Sequence, residues 1–218
     1  NVLISYLNEE SDAEETVRII EKEGVGCVSV GGDITDEDLC KRLVRRAVDG
    51  FGRLDILVNN AAFQMTHENI QGLSSEEFDR TFRTNVHAMF YLCKAALPVM
   101  QEGGSIINTA SIQAYNPSAN LLAYASTKGA IVTFTKALAS EVAGQGVRVN
   151  AVAPGPVWTP LIPSTMPQEK VENFGADTIF GRPAQPAELA PVYVFLASQE
   201  SRYITGEVIG VTGGKPIS

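Results

Sequence analysis

Tyr124 and Lys128 stand four residues apart in a stretch of helical period, so both side chains leave one face of a helix. A free phenol has a pKa of about 10 and is a poor base at neutral pH. A cation beside it favours the phenolate and brings it toward the working range. Ser111 directly follows an apolar run and precedes Tyr124 by thirteen positions, so a loop can return its hydroxyl beside the phenol. Two hydroxyls in one pocket can both hydrogen-bond a single carbonyl oxygen. Each residue also has a plainer reading. Tyr124 and Lys128 form an ordinary surface pair, and Ser111 caps a turn. Asn85 lies in a helical run beside Val86, Met89 and Phe90. That setting predicts an inward amide in need of partners, unless the amide simply faces solvent.

The elements that position these residues alternate. Val2–Tyr6, Cys27–Val30, Leu54–Val58, Ser105–Asn108, Val147–Ala151 and Glu207–Val211 read as short strands rich in β-branched residues. Between them lie helical stretches at Asp12–Glu23, Asp36–Phe51, Ser75–Met100, Leu122–Ala143 and Pro186–Ser198. The first should be capped by Ser11 or Asp12, the second by Thr35 or Asp36, the third by Ser74 or Ser75. Pro98 should loosen the end of the long third helix. The proline-rich stretch from Pro154 to Pro186 reads as an irregular excursion with one short helix near Gln168–Asn173. Such alternation predicts a single α/β domain over residues 1–218, with a doubly wound parallel sheet covered on both faces. Ligands of such sheets sit at the carboxyl ends of the strands. The residues to inspect there are Asp33, Asn59–Ala62, Thr109–Ser111 and Pro154–Gly155.

The set Asn85, Ser111, Tyr124 and Lys128, in this order and spacing, resembles the short-chain dehydrogenase/reductase family. Leu57-Val58-Asn59-Asn60-Ala61-Ala62 is similar to its Asn-Asn-Ala-Gly segment. Val149-Asn150-Ala151-Val152-Ala153-Pro154-Gly155-Pro156-Val157-Trp158-Thr159 is similar to its Pro-Gly segment, and Tyr203 through Gly214 to its closing strand. The resemblance runs along essentially the whole chain. Ser111-Ile112-Gln113-Ala114-Tyr115 and Leu189–Val194 are most like the aldehyde reductase and glucose/ribitol dehydrogenase branch.

The resemblance implies a Rossmann-like fold and an NAD(P)-dependent oxidoreductase acting on a neutral aldehyde, ketone or polyol. Tyr124 would be the general acid and base. Lys128 would lower its pKa and bind the nicotinamide ribose, Ser111 would polarise the carbonyl, and Asn85 would hold a water linking Lys128 to solvent. Asp33 and Ile34 would meet the adenine. Asn59, Asn60 and Ala61 would line the adenosine ribose. Pro154, Gly155, Val157 and Thr159 would touch the nicotinamide. Asn59 and Asp33 also have a plainer reading as caps of a strand end or a helix. Residues Pro156 to Pro183 resemble a substrate lid, with Trp158, Leu161, Ile162, Met166 and Phe174 as its apolar face and Gly175 and Gly181 as hinges.

One family element is missing. The glycine-rich turn that opens the first helix has no counterpart: Gly24/Gly26, Gly103/Gly104 and Gly144/Gly146 precede strands, and Gly213/Gly214 lies near the last residue. None can cradle a pyrophosphate at a helix N-terminus. The family's first strand and helix go with it, which predicts a gap one strand wide, with flanking strands roughly 10 Å apart. Either the unit belongs to a longer molecule, or Val2–Tyr6 moves over to pair with Leu54–Val58, or the cofactor half is rearranged. This leaves an alternative function, a relative with impaired dinucleotide binding acting as a non-redox or assembly protein. Glu9, Glu10, Asp12, Glu14 and Glu15 follow the first strand, with no cation before Arg18. That disfavours a 2′-phosphate and leans the choice between NAD and NADP to NAD.

Composition agrees with a small-molecule enzyme. The 218 residues are 44% hydrophobic and 19% charged, with a net charge of −8. An acidic chain has no electrostatic footprint for nucleic acid or anionic lipid. Three well-separated cysteines and two histidines make a metal site improbable and fit thiols in a reducing cytoplasm. No apolar run is long enough to span a membrane. Surplus apolar positions on the two long helices predict a homotetramer. These are Phe82, Val86, Met89, Phe90 and Cys93 on one, and Ala130, Phe134, Ala137 and Leu138 on the other.

Overall fold

The computed structural model describes residues 1–217. Its elements follow the predicted alternation, in the order β1 (Val2–Tyr6), α1 (Glu10–Lys22), β2 (Cys27–Gly31), α2 (Glu37–Phe51), β3 (Ile56–Asn59), α3 (Ser75–Phe82), α4 (Ala88–Ala96), β4 (Ser105–Thr109), α5 (Leu122–Val142), β5 (Arg148–Pro154), α6 (Leu161–Thr165), α7 (Gln168–Glu172), α8 (Pro186–Ala197) and β6 (Val208–Val211). All strand pairs are parallel, but they form two sheets, β1-β2 and β3-β4-β5-β6. β1 has not moved across to β3. Each keeps one edge without a strand partner, and Val2, Ile56 and Val58 are 38%, 43% and 44% exposed. The two sheets are tied through helices instead, with α2 packed on α4 and Lys94 reaching Glu37 at 3.4 Å.

The larger sheet is covered on both faces. Ile106, Val149, Ala151 and Ala153 face a core built with Met89 and Cys93 of α4 and Ile131, Leu138 and Val142 of α5. Ile107 and Val152, one position on, face Leu196 of α8. The period of two thus sorts alternate residues onto opposite faces. Both faces are apolar, as a doubly wound sheet requires. Each fully buried Val or Ile contributes roughly 1.5–3 kcal/mol.

Three expectations need correction. The long third helix keeps its predicted extent and its loosened end at Pro98, but it is not α-helical throughout. It runs as α3, a π turn at Arg83–His87, α4 and a 3-10 turn at Leu97–Val99 containing Pro98. The cap of α1 is neither Ser11 nor Asp12. The helix begins after Glu9, whose carboxylate accepts the N–H groups of Leu7 and Asn8. The excursion after β5 holds two short helices rather than one. α6 starts after Pro160 and carries Pro163 in its first turn, where a missing N–H costs nothing.

Two capping signals read correctly. Asp36 caps α2 by accepting from Asp38 N at 2.9 Å, and Ser74 caps α3 by accepting from Glu77 N at 3.2 Å. The surplus apolar stripes divide, with three positions in the core, Phe82, Val86, Ala130 and Phe134 half-buried, and Phe90 and Ala137 exposed. Met89, Cys93 and Leu138 are 3%, 1% and 8% exposed, while Phe90 stays 43% exposed. Among the described residues no helix is long and apolar enough to cross a membrane, and no cluster of His, Cys, Asp or Glu could hold a metal ion.

Candidate active site

The carboxyl end of β4 is the centre of the site. Thr109 ends the strand, and its carbonyl accepts a hydrogen bond from Lys128 Nζ at 2.7 Å. Lys128, on α5, is 1% exposed, and its Nζ lies 5.2 Å from the centre of the Tyr124 ring. One of the three N–H donors is therefore engaged and two remain for a ligand. Burial pulls the Lys128 pKa down to about 7. Burial also pushes the Tyr124 phenol up to about 12, against the lowering effect of the Ser111 hydroxyl beside it. The spacing of Tyr124 and Lys128 predicts a lowered phenol. In the resting site the shift runs the other way, because loss of water outweighs the Ser111 hydroxyl and the neighbouring Tyr193 adds to the rise.

Ser111 also keeps its plainer role. It is 7% exposed, and its Oγ accepts from Gln113 N at 3.2 Å as the cap of a 3-10 turn over Ile112–Ala114. Asn85 lies in the π turn, a rare geometry that recurs at functional sites. Its Oδ1 accepts from Phe63 N at 2.7 Å, and its Nδ2 donates to Phe63 O at 2.9 Å and Thr127 Oγ1 at 3.0 Å. Both amide hydrogens are engaged, so the side chain has no donor left to hold a water. Thr127 neighbours Lys128 and donates to Tyr124 O at 2.6 Å, which joins Asn85 to the Tyr-Lys turn.

One site residue, Tyr193, escaped the sequence reading. Thr109 Oγ1 donates to Asn60 Oδ1 at 3.1 Å and shares a 2.8 Å hydrogen bond with the Tyr193 hydroxyl of α8. Burial raises the Tyr193 phenol, and its proximity raises Tyr124 further. The available signal was a lone phenol among Val192, Val194 and Phe195, since a buried tyrosine hydroxyl needs a partner.

The remaining positions divide. Pro154 ends β5. Gly155 is glycine for a local reason, since a Cβ there would lie 2.7 Å from the Thr212 carbonyl oxygen. Val157 bridges to Ala184, and the Thr159 carbonyl accepts from Ile162 N, so both start the lid. Gly175 is no free hinge. Its φ is +79°, and a side chain would run into the backbone of Pro183. Gly181, at φ +65°, has open space around it.

Asp33 and Ile34 lie beyond β2 in the other sheet, where Asp33 Oδ1 accepts from Thr35 N at 2.9 Å. Asn60 and Ala61 are exposed just beyond β3. Asn59 donates to Asn108 Oδ1 at 2.8 Å, while its own buried Oδ1 has no partner among the described residues. The free donors of Lys128 and the paired hydroxyls fit the nicotinamide ribose of a dinucleotide. No helix N-terminus opened by glycine flanks β1 or β3 among the described residues, so this region offers no pyrophosphate cradle.

The family model described as Enoyl-(Acyl carrier protein) reductase matches residues 1–215. An uncharacterized oxidoreductase of Bacillus subtilis, YhdF, is 56% identical over 218 residues, covering 100% of this chain and 75% of its own. NADPH-dependent aldehyde reductase 1, chloroplastic, of Arabidopsis thaliana is 45% identical over 215 residues, covering 96% and 75%. Glucose and ribitol dehydrogenase of Daucus carota is 44% identical over 211 residues, covering 95% and 72%. A short chain dehydrogenase from Burkholderia cenocepacia, solved in complex with NADP, superposes with a TM-score of 0.91 at 28% identity, covering 98% of this chain and 86% of that one. The lean to NAD finds no support among these relatives. Its acidic run is also less available than its composition suggests, because Glu9 is bound to the backbone of its own turn.

Proposed function

We propose that this chain, which belongs to the short-chain dehydrogenase/reductase family, interconverts a neutral aldehyde, ketone or polyol and its redox partner with NADP(H), using Tyr124 as the proton donor and acceptor. The observation that carries this reading is the convergence of Ser111, Tyr124 and Lys128 on the carboxyl end of β4. The named relatives are oxidoreductases, one of them NADPH-dependent, and a structural neighbour binds NADP. No observation favours the alternative of a non-redox or assembly protein.

Ser111 and Tyr124 donate to the substrate oxygen and hold it. A nicotinamide held there by Lys128 would supply the hydride chemistry at the carbonyl or alcohol carbon. Tyr124, raised to about 12 at rest, is fully protonated at neutral pH and ready to act as an acid. It gives its proton to the oxygen as negative charge develops there. Lys128, near 7, can then return a proton toward the phenolate at working pH. Its two free N–H groups would hold the nicotinamide ribose. Asn85 and Thr127 hold the turn that aims these groups. No Arg or Lys other than Lys128 lies between Ser111 and Lys128, so an anionic substrate lacks a partner.

The test is consumption of NADPH with matched neutral and carboxylate-bearing aldehydes. Turnover of the neutral member and rejection of the acid support the reading. Preference for the acid, or for NADH, would contradict it.

A further inference from the structure

The loop after β3 meets the lid at one buried amide. Gln64 is 4% exposed, and its Nε2 donates to Thr165 Oγ1 at 2.9 Å. Thr66 Oγ1 reaches the Thr165 carbonyl at 3.4 Å. Thr165 closes α6, and its own hydroxyl proton goes to Leu161 O at 2.6 Å, which leaves lone pairs to accept from Gln64. On the same helix Ile162 is 7% exposed, so the lid is seated and not splayed. The residue before Gln64, Phe63, is held at both backbone groups by Asn85, and Asn85 by Thr127 beside Lys128. A hydrogen-bonded path therefore runs from the catalytic helix to the lid and ends in a carboxamide. Gln64 Oε1 accepts no hydrogen bond from any described residue.

We infer that Gln64 is a specificity-determining residue. Its Nε2 latches the lid through Thr165, and its Oε1 receives a hydroxyl of the substrate, selecting hydroxylated aldehydes and polyols over alkyl ones. The inference rests on the reading under Proposed function for its second half only. Gln64 Oε1 is not among the buried atoms left without a partner, so it is open to solvent and to a donor that a ligand brings. A site built to bond a hydroxyl rejects the analogue that lacks it.

Lid closure can be read without cofactor. Lys170, exposed on α7, offers a trypsin site inside the lid. Gln64→Leu and Thr165→Val should each speed cleavage there about threefold to tenfold, the range for one lost hydrogen bond. The double variant should be no faster than either, because both remove the same bond. Unchanged cleavage, or a double variant equal to the product of the singles, overturns the latch.

With NADPH, the ratio of kcat/KM for glyceraldehyde over propanal should fall at least tenfold in Gln64→Leu, through KM. Gln64→Glu keeps an acceptor and should retain most of the ratio. An unchanged ratio in Gln64→Leu, or no preference in the parent, overturns the hydroxyl contact. A parent that reduces neither aldehyde sinks the functional reading and the hydroxyl contact with it, while cleavage still decides the latch.

Discussion

Lys128 Nζ donates to the backbone carbonyl of Thr109 at 2.7 Å. The buried cation is thus anchored to the end of β4, beneath the Tyr124 ring and not on its hydroxyl. The same threonine's side chain bonds Asn60 and Tyr193. One residue at a strand end therefore aligns the amine, the loop after β3 and helix α8.

Burying an amine is costly, so Lys128→Met should stabilise the fold while abolishing turnover. The folded pKa is about 7, below that of the exposed amine in the unfolded chain. Between those values the unfolded chain holds more protons, so parent stability rises with pH there. The advantage of the methionine variant is greatest at and below pH ~7 and fades toward pH ~10.5. A gain of about 2 kcal/mol near neutrality corresponds to a Tm roughly 4–8 °C higher. Thermal melts across pH check this. A variant less stable than the parent at pH ~6 would contradict it.

Asn85 should matter to the fold as much as to the chemistry. Asn85→Ala removes three hydrogen bonds and leaves both backbone groups of Phe63 and the Thr127 hydroxyl to find new partners. The expected loss is about 2–4 kcal/mol. Denaturant unfolding monitored through Trp158, the single tryptophan, measures it. A loss of turnover with no loss of stability would assign Asn85 a purely chemical role.

Most of the fold was legible because two periods alternate cleanly, and β-branched runs such as Leu57-Val58 and Val149–Val152 mark buried parallel strands. The breaks were not. Nothing in Arg83–His87 announces a π turn, and its Asn85 bonds Phe63 from 22 positions away, a contact that local sequence does not reveal. Helix α6 was hidden by Pro160 and Pro163, which look like breakers until their place in a first turn is known. In the site, types and spacing located Ser111, Tyr124 and Lys128, but the direction of the pKa shifts depends on burial, which spacing does not reveal. Gln64 and Tyr193 carry no motif of their own. Their importance lies in hydrogen bonds across 101 and 84 positions.

The dinucleotide should bind a polypeptide of residues 1–218 weakly. Its nicotinamide end has partners, but its pyrophosphate meets no helix N-terminus beside β1 or β3 among the described residues. The expected penalty against the NADP-binding Burkholderia relative is at least tenfold, or ~1.4 kcal/mol. Calorimetry with NADPH measures it, and low-micromolar binding would contradict the expectation.

Self-association should leave a readable mass. Phe90 and Leu122, on α4 and α5, are 43% and 40% exposed, and Ile70 is 61% exposed. Light scattering at micromolar concentration should report a homotetramer, and Phe90→Asp should lower the mass. A monomer would return these side chains to ordinary surface.

In the proposed mechanism the Tyr124 phenol gives and takes the reacting proton, and Tyr124→Phe removes only that group. The measurement is NADPH-dependent reduction of a neutral aldehyde by parent and variant, with NADPH affinity and Tm determined on the same samples. The account predicts a fall in kcat of roughly 10²–10⁴, with affinity and Tm unchanged. Reduction by the phenylalanine variant at near the parent rate would contradict it.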